Sequence, residues 1–234
     1  MILSVRLKSI SPYNSFIPIE FLKYIISNKT NYKKVDITDL TKKAEEHSIN
    51  LALQGKKVVV VSSGDPGVFA MASAIFEVVD KKNISIDDLP IVVLPGITAL
   101  LAVSARLGAP IGHDFCVINL SDNLKSWDIL KSRVIAAAKA DFVIAFYNPR
   151  SKSRKNQLSE IYDVLRKNCK SDRIVIYANS ISTESEAVFE TTLSEADASS
   201  VSMKTLVIIG SSRTKKIRNT GYIYTPRYSG VEKN

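Results

Sequence analysis

The chain has 234 residues, of which 45% are hydrophobic, so it can bury a sizeable core without disulfide or metal cross-links. Its 32 lysines and arginines exceed its 23 aspartates and glutamates, and the formal charge of +9 favours anionic partners. No apolar run approaches the roughly 20 residues that cross a bilayer, and the first residues lack a secretory signal pattern. Two cysteines and two histidines without clustered spacing predict a cytoplasmic protein with no metal site.

The first elements of the chain are predicted from periodicity. Residues 2–7 alternate apolar and polar side chains, which predicts a short strand. Residues 16–26 have an amphipathic pattern with Pro18 in the first turn, which predicts a helix. Residues 38–54 repeat apolar side chains at helical spacing, so a second helix should precede the valine strand described next.

A strand, a tight loop and a helix follow each other in the segment KKVVVVSSGDPGVFAM. The valine run at residues 58–61 predicts a strand that is buried on both faces of a parallel sheet. Glycine and proline make the loop at residues 64–67 tight and stiff, and residues 68–79 predict a helix. Open α/β sheets bind ligands at such strand ends, although a purely structural turn is equally consistent with the pattern. The chain has no G-x-x-x-x-G-K-[ST] or G-x-G-x-x-G motif, which argues against nucleotide hydrolysis and a typical dinucleotide site.

The same arrangement occurs a second time. Residues 91–94 predict another buried strand, which ends in the loop Pro-Gly-Ile-Thr-Ala at residues 95–99, and residues 100–107 predict a helix. The carboxyl ends of the two strands should therefore line one crevice. The glycine- and proline-rich residues 108–112 predict a linker.

Beyond this linker a new series of strands and helices begins. We therefore divide the chain into an N-terminal α/β domain, residues 1–112, and a C-terminal α/β domain, residues 113–234. Strands of the second domain are predicted at residues 115–120, 142–147, 173–179, 186–192 and 205–209. Helices are predicted at residues 127–139 and 155–168. Polar residues directly follow the first two strands of this domain, at positions 121–122 and 148–150.

The densest basic cluster in the chain is Arg150-Ser-Lys152-Ser-Arg154-Lys155, directly after a predicted strand. Arginine and lysine pair with carboxylates and phosphates alike, so the cluster suits a polyanionic small molecule at least as well as nucleic acid. A solvated loop is the alternative interpretation. Because the other basic residues are scattered, the sequence disfavours nucleic acid as a partner.

Four segments, in this order, closely resemble the tetrapyrrole (corrin/porphyrin) methylase family: SSGDPGVFAMAS, LPGITALLAVSARLGAPIGHDFCVINLSDNLKSW, DFVIAFYNPRSKSRKNQL and MKTLVIIGSSRTKKI. The resemblance extends from about residue 13 to about residue 227. The Gly-Asp-Pro and Pro-Gly-x-Thr-Ala loops are typical of the whole family. The motifs HDFC, LSD and YNPR, at residues 113–116, 120–122 and 147–150, resemble its subgroup of precorrin-3B C(17)-methyltransferases.

The resemblance implies a fold, a reaction and a set of site residues. It implies two α/β domains of the tetrapyrrole methylase type, S-adenosylmethionine in the cleft between them, and a homodimer. The implied reaction methylates C(17) of precorrin-3B, or of its cobalt-containing counterpart, with ring contraction, in cobalamin biosynthesis. Donor-binding residues would be Ser63, Gly64, Asp65, Thr98, Ala99, Tyr147, Asn148, Ala178 and Thr205. Ser121 and Asp122 would be catalytic, and Arg150, Lys152 and Arg154 would bind the substrate.

Two of these carboxylates also have structural interpretations. Asp65 orients the donor through hydrogen bonds, or it caps the helix that follows its loop. Asp122 lies with Ser121 on the tetrapyrrole side of the cleft, or it caps the helix that starts near Trp127.

The N-terminus departs from the family pattern. The family opens with a strand, a Gly-x-Gly-Pro-Gly loop and a helix, whereas residues 1–11 contain no glycine and residues 13–31 resemble the segment after that helix. We therefore expect the first βα unit to be missing or replaced, with the strand at residues 2–7 as the substitute.

Three functions stay open at this point. The chain is a methyltransferase for a polycarboxylate tetrapyrrole, or a degenerate or truncated family member that binds donor or tetrapyrrole without turnover. The third is a methylase of the same fold with another substrate, such as RNA or a diphthine precursor.

Overall fold

The computed structural model describes residues 2–5, 44–122, 125–151 and 154–228. The chain divides into two compact units, Met1–Thr98 and Ala99–Asn234. The domain boundary after residue 112 stays a prediction. Within the described residues no helix is both long and apolar enough to cross a membrane.

The first unit contains a parallel sheet of three strands in the order β2-β1-β3. Its strands are β1 (Ile2–Val5), β2 (Val59–Ser62) and β3 (Val92–Val93). The short N-terminal strand predicted at residues 2–7 is thus present over Ile2–Val5, and it occupies the centre of this sheet. The helix predicted at residues 16–26 lies outside the described residues.

Two helices of the first unit pack against each other. They are α1 (Ala44–Leu53) and α2 (Met71–Lys81). Ile49 of α1 is fully buried with Ile75 and Val79 of α2, so both helices contribute to one apolar core. The second helix begins three residues later than the expected position 68, because residues 66–70 form turns and bends after the Gly-Asp-Pro-Gly loop.

The prediction that the strand at residues 91–94 is buried was wrong. Val92 is 53% exposed and Val93 is 37% exposed. The strand is only two residues long, and among the described residues it pairs with β1 on one side and with no strand on the other. An apolar sequence run predicts strand formation, but burial depends on which elements cover the strand.

The second unit is built on a five-stranded mixed sheet in the order β5-β6-β9-β7-β8. Its strands are β5 (Phe115–Asn119), β6 (Val143–Tyr147), β7 (Ile174–Asn179), β8 (Ala187–Thr192) and β9 (Thr205–Ile209). All five confirm predicted strands. β5 and β6 are parallel, whereas β9 is antiparallel to both of its neighbours, β6 and β7.

Three helices cover the two faces of this sheet: α3 (Ala99–Leu107), α4 (Trp127–Lys139) and α5 (Gln157–Asn168). Alternate residues of β6 point to opposite faces, as strand geometry requires. Ile144 and Phe146 pack in the cluster that includes residues of α4 and α5, whereas Val143 and Ala145 pack in the cluster that includes residues of α3. Burial on both faces explains the near-continuous apolar sequence of β6.

The predicted linker at residues 108–112 instead includes a strand. β4 (Gly108–Ala109) pairs in parallel with β11 (Ile223–Tyr224), which is antiparallel to β10 (Lys215–Lys216). A Cβ atom on Gly112 would lie 2.8 Å from the carbonyl oxygen of Thr225, so only glycine fits there. The glycine and proline content that predicted a linker therefore reflects close backbone packing.

Candidate functional site

The predicted site residues of the first unit lie on its two glycine and proline loops. Asp65 links these loops. Its Oδ1 atom accepts a hydrogen bond from the Gly67 backbone N–H at 2.8 Å, and its Oδ2 atom accepts one from the Gly96 backbone N–H at 2.9 Å. A carboxylate that accepts bonds from two backbone segments restricts both, so the two loops form one rigid structure.

Gly64 and Thr98 bring the same two loops into contact. Gly64 has φ +72°, a conformation that side chains rarely adopt, and a Cβ atom built on it would lie 3.6 Å from the Thr98 Cα atom. Thr98 is buried and Ser63 is exposed. The structure thus brings together Ser63, Gly64, Asp65 and Thr98 on two adjoining loops.

The interpretation of Asp65 as a helix cap was wrong. The N-cap residue of α2 is Ala70, which makes no side-chain capping hydrogen bond. Asp65 lies five positions earlier and bonds to its own loop and to the neighbouring loop. Its carboxylate therefore stabilises the loops rather than the helix.

The predicted site residues of the second unit gather at one edge of the five-stranded sheet. The carboxyl ends of β5, β6 and β7 meet there, and the antiparallel β9 begins there. Residues at or just beyond these strand ends include Ser121, Asp122, Tyr147, Asn148, Ala178 and Thr205. We call this the strand-end edge.

Asn119 organises the first part of the strand-end edge. Its Oδ1 atom accepts a hydrogen bond from the Ser121 backbone N–H at 2.9 Å and another from the Asn148 side-chain amide at 3.1 Å. Asn148 has φ +50°, a left-handed conformation that asparagine adopts more readily than most other non-glycine residues. The sequence analysis did not select Asn119, although an asparagine that ends a strand before a polar loop is a detectable signal.

Tyr147 connects the end of β6 with the start of α3. Its hydroxyl oxygen accepts a hydrogen bond from the Leu100 backbone N–H at 2.9 Å. This N–H belongs to the first turn of α3, where helix N–H groups have no partner within the helix. Ala99, the first residue of this helix, is thereby held close to Tyr147.

A second asparagine organises the other part of the strand-end edge. Asn179 ends β7, and its Oδ1 atom accepts hydrogen bonds from the hydroxyls of Thr205 and Ser202, each at 3.3 Å. Ala178 precedes it and is 1% exposed, with Val188 and Leu206 as its partners on the two neighbouring strands. The sequence analysis named Ala178, but the polar group at this strand end belongs to Asn179.

Arg154, which the family resemblance implied as a substrate-binding residue, is only 7% exposed. Its side chain is largely buried, and its Nη1 atom donates hydrogen bonds to the carbonyl oxygens of Leu120 at 3.1 Å and Asn148 at 2.9 Å. These contacts direct the guanidinium toward the protein backbone. Lys152, the middle residue of the predicted basic cluster, lies outside the described residues.

Asp122 is held by two side chains. Its Oδ2 atom accepts a hydrogen bond from Gln157 Nε2 at 3.3 Å, and its Oδ1 atom lies 3.8 Å from Arg154 Nε. The interpretation of Asp122 as the cap of α4 was wrong, because Ser126 is the N-cap and its Oγ atom accepts a hydrogen bond from the Ile129 N–H.

Arg150 lies beside a shallow cavity of about 310 Å³, which is also lined by Ser151, Lys155, Val201, Ser202 and Met203. One nitrogen of its guanidinium, Nη1, donates to the carbonyl oxygens of Ala198 and Ser199. Hydrogen bonds from Ser199 lower the pKa of the nearby Asp197 carboxyl, and the charge of Arg150 acts in the same direction. Arg150 is half-buried and Lys155 is exposed, so two basic residues line this cavity.

Comparison with known proteins gives consistent matches over most of the chain. The family model for tetrapyrrole (corrin/porphyrin) methylases matches residues 15–197. A precorrin-3B C(17)-methyltransferase from Sinorhizobium sp is 46% identical over 184 residues, which cover 77% of this chain and 72% of that protein. A probable cobalt-factor III C(17)-methyltransferase from Salmonella typhimurium is 37% identical over 206 residues, which cover 87% of this chain and 83% of that protein.

Solved structures agree with these matches. The crystal structure of the methyltransferase CobJ is 34% identical, with a TM-score of 0.78, and the match covers 96% of this chain and 99% of that one. A uroporphyrin-III C-methyltransferase from Thermus thermophilus, complexed with S-adenyl homocysteine, has the same fold, with 18% identity, a TM-score of 0.56 and coverage of 89% and 84%. The family resemblance and the α/β fold predicted from the motifs are confirmed.

Proposed function

We propose, because this chain belongs to the tetrapyrrole methylase family, that it transfers the methyl group of S-adenosylmethionine to C(17) of precorrin-3B or of its cobalt-containing counterpart. Ring contraction accompanies this step, which serves cobalamin biosynthesis. The observation that carries the proposal is the 46% identity with a precorrin-3B C(17)-methyltransferase over 77% of this chain. The arrangement of polar residues at the strand-end edge supports it.

The proposed donor-binding residues come from both units. In the first unit they are Ser63, Gly64, Asp65 and Thr98. In the second unit they are Ala99, Tyr147, Asn148, Ala178 and Thr205, and we add Asn179 because its amide stands at the strand end next to Ala178. The residue types fit such a ligand: Gly64 permits close backbone approach, and the amides and hydroxyls offer hydrogen bonds to an adenosine or an amino acid group.

The chemistry requires placement more than proton transfer. S-adenosylmethionine supplies a methyl group on a positively charged sulfur, and a nucleophilic carbon of the substrate must approach it in line. Holding two reactants in that geometry can lower the activation free energy by several kcal/mol, and by about 7–11 kcal/mol in favourable cases. The Asp65 bridge between two loops, and the Asn119 bridge between Ser121 and Asn148, are the rigid elements that provide such placement.

We assign the substrate-facing roles as follows. Ser121 and Asp122 are the proposed catalytic residues on the tetrapyrrole side. Arg150 and Lys152 are the proposed cations for the acetate and propionate groups of the macrocycle, since guanidinium and ammonium groups pair with carboxylates. Arg154 no longer belongs to this group, because its guanidinium is buried and donates to backbone carbonyls.

We also propose that the protein acts as a homodimer in the cytoplasm. Cys116 and Cys169 are free thiols, which is usual in a reducing compartment. Sedimentation of the purified protein at several concentrations tests the dimer.

One assay decides the function. Purified protein is incubated with S-adenosylmethionine carrying a labelled methyl group and with either precorrin-3B or cobalt-factor III, and the products are identified by mass spectrometry. We expect one substrate to gain a labelled methyl group and a contracted ring. Donor binding in calorimetry without methyl transfer to either substrate would instead support a degenerate family member that binds without turnover. Methyl transfer to RNA would contradict the assignment of a tetrapyrrole as the substrate.

A further inference from the structure

Arg154 contacts three separate segments of the strand-end edge. Its Nη1 atom donates to the carbonyl oxygen of Leu120, just after β5, and to that of Asn148, just after β6. Its Nη2 atom lies 3.5 Å from the sulfur of Met203, just before β9. One side chain therefore contacts segments that lie up to 49 positions from it in the sequence.

The guanidinium also lies beside a proposed catalytic group. Its Nε atom is 3.8 Å from Asp122 Oδ1, which is longer than a hydrogen bond, so backbone carbonyls are its main partners. The residue is only 7% exposed. Burial of a charge with this limited compensation is unfavourable, and an apolar side chain of similar volume often stabilises a fold as well or better. The burial of Arg154 is therefore weak evidence for a purely stabilising role.

The conformation of Asn148 shows what this arginine does. Asn148 has φ +50°, and its backbone and side chain are both restrained, the carbonyl by Arg154 and the amide by Asn119. Loss of the bond to Arg154 removes one of these two restraints on the left-handed backbone of Asn148. The direction in which Asn148 presents its side chain thus depends on Arg154.

We propose that Arg154 is a positioning residue that holds Asn148 and Asp122 in register across the strand-end edge and does not itself bind the substrate. The planar guanidinium has five donors in a fixed arrangement, so it can reach the two carbonyls and the carboxylate together, whereas a lysine ammonium is a compact point charge on a flexible chain. This inference rests on the proposed function, because Asn148 is a proposed donor contact and Asp122 a proposed catalytic residue.

Arg173 provides a matched control at the opposite edge of the same sheet. It is 8% exposed, and its guanidinium donates to the Gly210 carbonyl oxygen at 3.4 Å and to Asp141 Oδ1 at 2.6 Å. It therefore has the same burial and the same types of partner as Arg154, but it lies at the amino ends of β6 and β7. We therefore expect substitutions at the two positions to test the effect of removing a buried guanidinium at each end of the sheet.

The test compares Arg154→Lys and Arg154→Met with Arg173→Lys and Arg173→Met in the full chain. We expect both Arg154 variants to weaken S-adenosylmethionine binding several-fold and to lower kcat, by about 10-fold for lysine and about 100-fold for methionine, the usual result of a small misplacement. The KM for the tetrapyrrole should stay nearly unchanged. The Arg173 variants should lower the melting temperature to a similar extent and leave kcat and donor affinity intact.

Three results would overturn the inference. A higher KM for tetrapyrrole with unchanged kcat and donor affinity would make Arg154 a substrate-binding residue. Equal losses of kcat and donor affinity in the Arg173 variants would show that Arg154 contributes only to general stability. If Arg154→Met does not fold, Arg154→Lys carries the test, and its crystal structure must show Asn148 outside the left-handed region; an unchanged Asn148 would contradict positioning. If the parent protein methylates no tetrapyrrole, the proposed function is refuted but the inference is not. The crystal structure of Arg154→Lys then decides the inference.

Discussion

The Asp65 carboxylate and the Gly96 backbone N–H join two loops that are 31 positions apart, through a hydrogen bond of 2.9 Å. The other oxygen of the same carboxylate accepts from Gly67 at 2.8 Å. Both loops follow parallel strands of the first unit, and both carry proposed donor contacts. The Asp65 side chain thus shapes the proposed donor site before any ligand binds.

Replacing Asp65 by alanine is expected to weaken S-adenosylmethionine binding by one to two decades. The variant lacks the two carboxylate oxygens that accept from the Gly67 and Gly96 N–H groups, a loss of about 2–3 kcal/mol, and the two loops lose their link. Calorimetry measures the affinity. Asp80→Ala in α2, an exposed position of the same unit, is the control and should bind the donor normally. Unchanged affinity in the Asp65 variant would refute its assignment to the donor site.

Substituting Asp122 by asparagine should lower turnover about 100-fold, the smaller end of the effect typical of a proton-transferring side chain. Asparagine keeps an oxygen that can accept from Gln157, so the local fold should persist. Donor affinity should not change. The exposed Asp163, which pairs with Arg166, gives the matched control Asp163→Asn with normal turnover. If only the melting temperature of the Asp122 variant falls, its role is structural.

Neutralising Arg150 and Lys152 together, each to glutamine, is expected to raise the KM for tetrapyrrole several-fold. Pairs at a partly exposed position are screened, and each is worth at most about 1 kcal/mol. Turnover at saturation and donor affinity should stay nearly constant, because only uniform binding is removed. The parent KM should rise with salt, and the variant KM should rise less. The same substitutions at Lys167 and Lys170 serve as the control, and an equal rise in KM there would indicate nonspecific attraction.

Cys116 should react slowly with iodoacetamide in the folded protein. Burial raises the pKa of its thiol from 9.0 to about 11, which lowers the thiolate fraction about 100-fold at neutral pH. In a Cys169→Ala background, labelling of the folded chain should be slower by about this factor than labelling of the urea-unfolded chain. Because the folded pKa is the higher one, the associated stability is complete below pH 9.0 and is lost as the pH rises toward 11. Equal labelling rates would contradict the burial.

Tyr177→Phe should destabilise the second unit more than Tyr162→Phe. The Tyr162 hydroxyl donates to Tyr177 at 2.9 Å, and the Tyr177 hydroxyl donates to the Asp197 carbonyl at 3.0 Å. Phenylalanine at 177 leaves a buried hydroxyl without its acceptor, at a cost of about 1–3 kcal/mol, whereas phenylalanine at 162 removes one bond, worth about 1 kcal/mol. Chemical denaturation measures both free energies of unfolding, and the reverse order would contradict this assignment of the two hydrogen bonds.

Local patterns in the sequence were sufficient to predict many features of this protein. Every strand of the five-stranded sheet was predicted, and the near-continuous apolar runs of β6 and β9 reflect their burial. The polar positions after β5 and β6, including Asp122 and Asn148, were also predicted, since they directly follow those runs. The motifs around them were sufficient to identify the family.

The tertiary structure alone decided which of these residues meet and how. β9 lies antiparallel between β6 and β7, which brings Thr205 to Asn179 across 26 positions, and no local pattern encodes such a pairing. The burial of Arg154 could not be predicted for the same reason. The sequence shows it in a basic cluster, whereas the fold buries it against the carbonyl oxygens of Leu120 and Asn148. A side chain's neighbours in the sequence specify its charge and its element, but its partners depend on segments that come together only when the sheet forms.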